Sequence, residues 1–245
     1  MNLLLLGHGK TGALVGEVAR ERGHQVQIMT SAENPRGAGL TAEALRGVEV
    51  AIDFTRPDAV LANIEACASA RVNMAVGTTG WYEHLPRVRE LVKKSGIGLV
   101  YASNFSVGVN LFFDIAQVAA RAAQHGYAAR IVERHHVHKK DAPSGTAVTL
   151  RNILAGPGGP PAQIESVREG EIVGEHTILL ESAHDSIRLE HSAKSRRGFA
   201  EGAVIAAEWI AGKHGFFEFR ETLPPGQTVS ESVLVAWWAG FATYV

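Results

Sequence analysis

Short apolar runs alternate with helical periodicity through the first hundred residues, and this alternation predicts a parallel α/β sheet. Residues 3–6, four consecutive leucines, read as a strand that stops at Gly7. Residues 13–22 repeat their apolar positions at helical spacing, and residues 25–29 form a second strand after a turn at Gly23 and His24. The same logic gives a short helix at 41–46, a strand at 48–54, a helix at 57–70, a strand at 72–76, a helix at 83–94 and a strand at 98–102. Pro57 fits a first helical turn, where its missing N–H would have had no partner.

The pattern changes after Asn104. Residues 111–123 predict an alanine-rich amphipathic helix, 130–133 a strand ending at Glu133, and 146–154 another helix. GPGGPP at 156–161 breaks the chain into a loop. Residues 171–181 and 185–191 alternate as the two strands of a hairpin, which implies an open sheet of mixed direction. A helix at 200–211 and a strand at 216–219 complete the prediction.

Composition narrows the class. A chain of 245 residues holds one large domain or two modest ones, and 24 basic against 25 acidic residues describe a globular, soluble protein. Basic residues are scattered apart from Lys139 and Lys140 and the group Lys194, Arg196 and Arg197, so nucleic-acid binding has no extended footprint. Cys67 is the only cysteine, among alanines in a helix, which fits core packing in a reducing compartment. No basic residue precedes the first apolar run and no cleavage site follows it, so a signal peptide is not expected. The apolar end at 233–245 is too short for a spanning helix and reads as a buried terminal element or an interface segment.

Two stretches carry chemistry. GHGKTG, Gly7, His8, Gly9, Lys10, Thr11 and Gly12, follows a strand and opens a helix, the context in which glycines let backbone approach a pyrophosphate at a helix N-terminus. About twenty residues on, where a carboxylate would bind ribose hydroxyls, stand Thr30 and Ser31, with Glu33, Arg36 and Glu43 beyond. Hydroxyls and a nearby cation tolerate a 2′-phosphate, so the choice between NADPH and NADH leans toward NADPH. The second stretch is ERHHVHKKDAPSGTA from Glu133 onward. In extended chain His136 and His138 point one way and His135 the other, and two lysines stand beside them, so the histidines are not assigned to a metal. They fit a proton donor and anion clamp instead. His135 titrates near neutrality and Lys139 can neutralise a carboxylate. Ser144 can cap a helix whose first amides, Gly145 and Thr146, receive a small anion. Asp141 can orient the loop or hold Lys139, but reads first as a turn residue before Ala142 and Pro143.

HHVHKKDAPSGTA resembles the signature of the 4-hydroxy-tetrahydrodipicolinate (dihydrodipicolinate) reductase family. GHGKTG, DFTRP, VGTTG, SNFSVGVN, REGEIVGEH and HSAKSRRGFAEGA are similar to other family segments in order and spacing. The resemblance implies a Rossmann-like dinucleotide-binding domain at 1–105 and 195–245, with a mixed α/β domain for substrate binding and oligomerisation on an open sheet at 106–194. It implies a cytoplasmic homotetramer that reduces a small dicarboxylate of the diaminopimelate route to lysine with NAD(P)H. It further implies His135 as proton donor and Lys139 as catalytic lysine, with His136, Gly145 and Thr146 binding substrate. Gly77, Thr78 and Thr79, and then Ser103, Asn104 and Phe105, would touch the cofactor. The chain departs from the family in its tighter glycine loop, in lacking an acid after the second strand, and in the segment that continues past Leu223.

Overall fold

A computed structural model describes residues 1–155 and 161–223. The predicted loop at 156–161, apart from Pro161, and the apolar segment at 233–245 lie outside the described residues. In chain order the elements begin β1 (Asn2–Leu6), α1 (Lys10–Glu21), β2 (Gln25–Met29), β3 (Val50–Asp53), α2 (Pro57–Ser69), β4 (Asn73–Val76), α3 (Leu85–Ser95) and β5 (Gly98–Tyr101). There follow α4 (Val107–Ala119), β6 (Ala128–His135), α5 (Gly145–Ala155), β7 (Gln163–Arg168), β8 (Glu175–Glu181) and β9 (Ser186–Ser192). The last described elements are α6 (Arg197–Ile210), β10 (Gly215–Glu218) and α7 (Phe219–Thr222).

The first sheet is wholly parallel, in the order β10-β5-β4-β3-β1-β2. The interior position of β1 explains why four leucines run together. Leu3 and Leu5 pack into one apolar cluster with α1 and α6, while Leu4 and Leu6 pack into the opposite one with α2 and α3. A strand covered on both faces has no polar side to alternate. β10 pairs with β5, so the chain returns to this sheet after building the second one.

The second sheet runs β7-β6-β8-β9, with β6 and β7 parallel and the other neighbours antiparallel. Ile131, Ile178 and Leu180 face Phe112, Phe113 and Ala116 of α4 and Ala147, Leu150 and Leu154 of α5. Toward one end this same face turns polar. Glu133 lies opposite His176, which lies opposite His191 on the next strand.

Four expectations need correction. Residues 41–46 make turns rather than a helix: Leu45 N–H reaches Thr41 O, then Gly47 takes a positive φ of 78°. One turn cannot offset the cost of helix nucleation, although Leu40 and Leu45 are still buried. The helix expected at 111–123 starts at Val107, capped by Ser106 Oγ accepting from Val109 N–H, and gives way to 3₁₀ turns after Ala119. β7, with its half-exposed sequence QIESVR, went unpredicted. Finally, β6 runs past Glu133 to His135.

Candidate active site

The glycine loop is built by sterics. Gly7 has φ +89°, and a Cβ there would sit 2.4 Å from Phe54 O; one on Gly12 would sit 2.4 Å from Gly7 O. No side chain caps α1, so the amides of its first turn remain available to an anion. Gly7, His8 and Gly9 line a groove of about 710 Å³ whose far wall carries Thr30, Ser31, Arg36 and Arg56. No carboxylate is among the described residues lining it. Glu33, beyond β2, turns back so that Thr30 N–H and Thr30 Oγ–H both donate to Oε2 at 2.7 Å. Lys10 is an exposed first-turn side chain.

At the other end of the groove Thr11, Gly77, Ser103, Asn104 and Phe105 line a smaller cavity against Phe54. Thr78 is differently placed. Its hydroxyl donates to buried Asp53 at 2.6 Å, and Asp53 also accepts from Thr55 and from Asn63, so Thr78 ties the ends of β3 and β4 together.

Ser103 and Asn104 also line the next cleft, of about 440 Å³, together with Thr79, His135, His136, Lys139, Gly145 and Thr146. Asn104 Nδ2 donates to Thr146 Oγ1 at 3.3 Å, joining the segment after β5 to the start of α5. Ser144 Oγ accepts from Ala147 N–H at 3.2 Å and so caps α5, leaving the Gly145 and Thr146 amides free at the cleft. The same hydroxyl meets His176 Nε2 at 3.1 Å. Burial, with the His135 ring nearby, pushes His176 down to about 3, so it is neutral.

His135 closes β6, and its Nδ1 pairs with the Glu133 carboxylate two residues earlier on the same side of the strand. Glu133 is fully buried, and Arg168 Nη2 donates to its Oε1 at 2.8 Å. Burial opposes the charge on Glu133, but its hydrogen bonds, Arg168 foremost, outweigh burial and hold the carboxyl below its usual range. An ionised carboxylate accepts only, so His135 carries its proton on Nδ1 and keeps Nε2 free beside Gly174. Burial lowers the His135 pKa, with Lys139 and Arg168 adding to it against the pull of Glu133. His136 faces the other way: Arg196 Nη2 donates to its Nε2 at 3.0 Å. His138 is exposed, 3.7 Å from Glu171.

Lys139 Nζ reaches Asp141 at 2.9 Å. Asp141 is therefore more than a turn residue, and Lys139, outweighing burial, keeps its carboxyl below the usual range. Glu133, His135 and His176 bring ligand-type atoms within 4.8 Å of one another. Both Glu133 oxygens are already paired, and Arg168 and Lys139 place positive charge beside the group, which suits a proton relay better than a cation.

The comparisons with known proteins identify the family. Residues 1–105 match the family described as dihydrodipicolinate reductase, N-terminus, and residues 108–223 its C-terminus. The chain belongs to the dihydrodipicolinate reductase family. It is 36% identical over 237 residues to the 4-hydroxy-tetrahydrodipicolinate reductase of Christiangramia forsetii, covering 91% of this chain and 98% of that protein. It is 40% identical over 202 residues to the Laribacter hongkongensis reductase, covering 74% of each. The fold is similar to that of a dihydrodipicolinate reductase from Paenisporosarcina sp. TG-14, with TM-score 0.73 and 21% identity over 91% of this chain and 99% of that one. The dihydrodipicolinate reductase reaction is the NAD(P)H-dependent reduction of 4-hydroxy-tetrahydrodipicolinate in diaminopimelate and lysine biosynthesis, and this chain is such an oxidoreductase.

Sequence reasoning missed Glu133 and Arg168 as parts of the site, and for Asp141 it preferred the turn reading to the pairing with Lys139 that the structure shows. Glu133 had a usable signal, since residues i and i+2 of a strand share a face. Arg168 had none, because it depends on a parallel pairing of residues 33 positions apart, Glu133 opposite Ser166 and His135 opposite Arg168.

Proposed function

We propose that His135 is the proton donor of the reduction and Lys139, with the Gly145 and Thr146 amides, the receptor for the substrate's carboxylates. The observation that carries this reading is the continuity of the two cavities through Ser103 and Asn104, which sets the nucleotide groove against His135 and Lys139. The Paenisporosarcina reductase was solved with dipicolinate bound, a dicarboxylate of the same chemical class as the substrate. His136, already accepting from Arg196, borders the same carboxylates.

An uncapped helix start, a loop without Cβ atoms at its tight points and two arginines fit a dinucleotide phosphate chain. Gly7, His8, Gly9 and Thr11 would hold the pyrophosphate side, with Lys10 and Gly12 shaping the turn. Gly77, Thr79, Ser103, Asn104 and Phe105 would border the nicotinamide end, with Thr78 holding the loop behind them through Asp53 rather than meeting the cofactor. When bound, the cofactor supplies hydride. Charge then builds on the substrate's conjugated ring, and His135 Nε2–H discharges it by protonation while Glu133 stabilises the imidazolium beforehand. Arg36 and Arg56 share the Asp58 carboxylate, at 3.9 and 3.2 Å, but line a groove that has no acidic residue among those described, which favours the 2′-phosphate of NADPH over NADH.

The outer face of the second sheet has α4 and α5 on its opposite side only, and it carries Val132, Val167 and Leu179 between ion pairs. Such a face suits the homotetramer, and the enzyme works in the cytoplasm; no helix among the described residues is long and apolar enough to cross a membrane.

The test is consumption of NADPH and NADH with freshly generated dihydrodipicolinate synthase product, beside a panel of other cyclic imines and keto acids. Oxidation confined to the first substrate, and more efficient with NADPH, is the expected result. Equal turnover of the panel would sink the substrate assignment.

A further inference from the structure

Arg168 ends β7 and faces His135 across the β6–β7 register, yet it is not among the residues lining the cleft. Its guanidinium has three uses. Nη1 donates to Val167 O at 2.7 Å, anchoring the side chain to its own strand. Nη2 donates both to Glu133 Oε1 at 2.8 Å and to the Asp141 carbonyl at 2.6 Å. Beyond Glu133 lies His135 Nδ1, and beyond Asp141 lies Lys139 Nζ. One half-buried cation therefore stands between the group that gives the proton and the group that holds the carboxylate, touching neither.

We propose that Arg168 is a positioning residue of the reaction: through Glu133 and Asp141 it fixes where His135 and Lys139 stand relative to each other. The inference rests on the roles assigned above to His135 and Lys139. Two physical arguments support it. A fully buried carboxylate needs charged partners to remain ionised, and Arg168 and His135 are the two side chains that pair with it, so without Arg168 that demand falls on the His135 imidazolium. A guanidinium can also serve several acceptors in fixed directions, whereas a lysine ammonium at the same place is a point charge on a flexible stem.

Arg168 also shares the negative charge of Glu133 with His135, which gives the proposal a signature that loss of structure lacks. The charged and titratable groups around His135 are Glu133 on β6, Arg168 on β7, His176 on β8 with His191 behind it, and Lys139 in the following loop. Removing Arg168 leaves Glu133 facing His135 undivided and favours the imidazolium. Removing the Glu133 charge does the reverse. An acid catalyst is active when protonated, so the limb on which kcat/KM falls with rising pH follows His135. Arg168→Met should move that limb to higher pH, and Glu133→Gln should move it to lower pH, each by about half a unit or more. Both should lower kcat about tenfold or more with the KM for NADPH within about twofold. Arg168→Lys should return the limb toward the wild-type position while recovering only part of kcat. The double variant Glu133→Gln/Arg168→Met removes the buried charge together with its partner, so it remains measurable if Arg168→Met alone fails to fold, and its limb should match that of Glu133→Gln.

Limbs that stay put, or that move in the same direction in both single variants, overturn the proposal, as does a double variant with wild-type kcat. His135→Gln in the same series separates the two levels of inference. If it abolishes turnover while the Arg168 variants behave as wild type, only the role of Arg168 falls. If it turns over normally, the proton-donor assignment falls and the Arg168 proposal with it.

Discussion

Gly174 precedes β8 and is the wall against which the His135 ring rests. A Cβ added there would lie 3.0 Å from His135 Nε2 and 3.3 Å from Cδ2. Gly174 has no positive φ, so alanine meets no backbone penalty and the whole effect comes from this contact. Comfortable separation is about 3.5 Å, so the ring must retreat by about half an ångström. It cannot do so freely, because Nδ1 is held by Glu133, which is itself held by Arg168. Gly174→Ala therefore either stretches the bond to Glu133 or turns Nε2 away from the substrate. Misplacement of a proton donor on this scale costs about 10- to 100-fold in kcat, or about 1.4 to 2.8 kcal/mol of transition-state stabilisation. Overpacking one methyl should cost about 1 kcal/mol of stability, small enough to leave a folded enzyme. Steady-state kinetics with NADPH and fresh substrate measure the effect, with the KM for NADPH near wild type as the control for folding. A folded Gly174→Ala enzyme within twofold of the wild-type kcat would refute the view that His135 is held in place by Glu133 and Gly174.

Other expectations follow from the same geometry. Arg36→Ala should raise the KM for NADPH about tenfold and leave that for NADH within about twofold, since only the former carries a 2′-phosphate for the arginine to meet; equal effects on both would contradict the lean to NADPH. Ser144→Ala removes the α5 cap and the partner of His176, so it should cost about 1 kcal/mol of stability and raise the KM for substrate without changing that for NADPH. His176 is pushed down to about 3 from 6.5, so its contribution to stability is complete above pH 6.5 and is lost as pH falls from there toward 3. By pH 5 that loss is about 2 kcal/mol, and urea unfolding should show it in the wild type but not in His176→Gln.

Much of this arrangement was legible in the residues. The doubly covered strand of four leucines, the glycine loop and the DAPSGTA helix start each rest on local rules, and short-range physics decides them. Single turns were less legible: 41–46 has helical spacing but too few residues to nucleate. β7 escaped because an exposed strand at a sheet edge carries little hydrophobic periodicity, and with it Arg168 escaped. Asp141 read first as turn chemistry since its sequence neighbours are Ala142 and Pro143, and the folded loop decides for the alternative, a partner of Lys139. The polar row Glu133, His176 and His191 spans three strands, so no local window could have assembled it. Alternation along β6 did separate His135 from His136 and His138, which is why one histidine meets Glu133 and another meets Arg196.

The most direct test is a single-turnover experiment in which enzyme loaded with NADPH is mixed with excess fresh substrate, comparing wild type with His135→Gln and Lys139→Ala. The account predicts that His135→Gln slows NADPH oxidation by about 10²-fold or more at nearly unchanged substrate affinity, while Lys139→Ala lowers both the rate and the affinity. A His135→Gln enzyme that oxidises NADPH at the wild-type rate would contradict it.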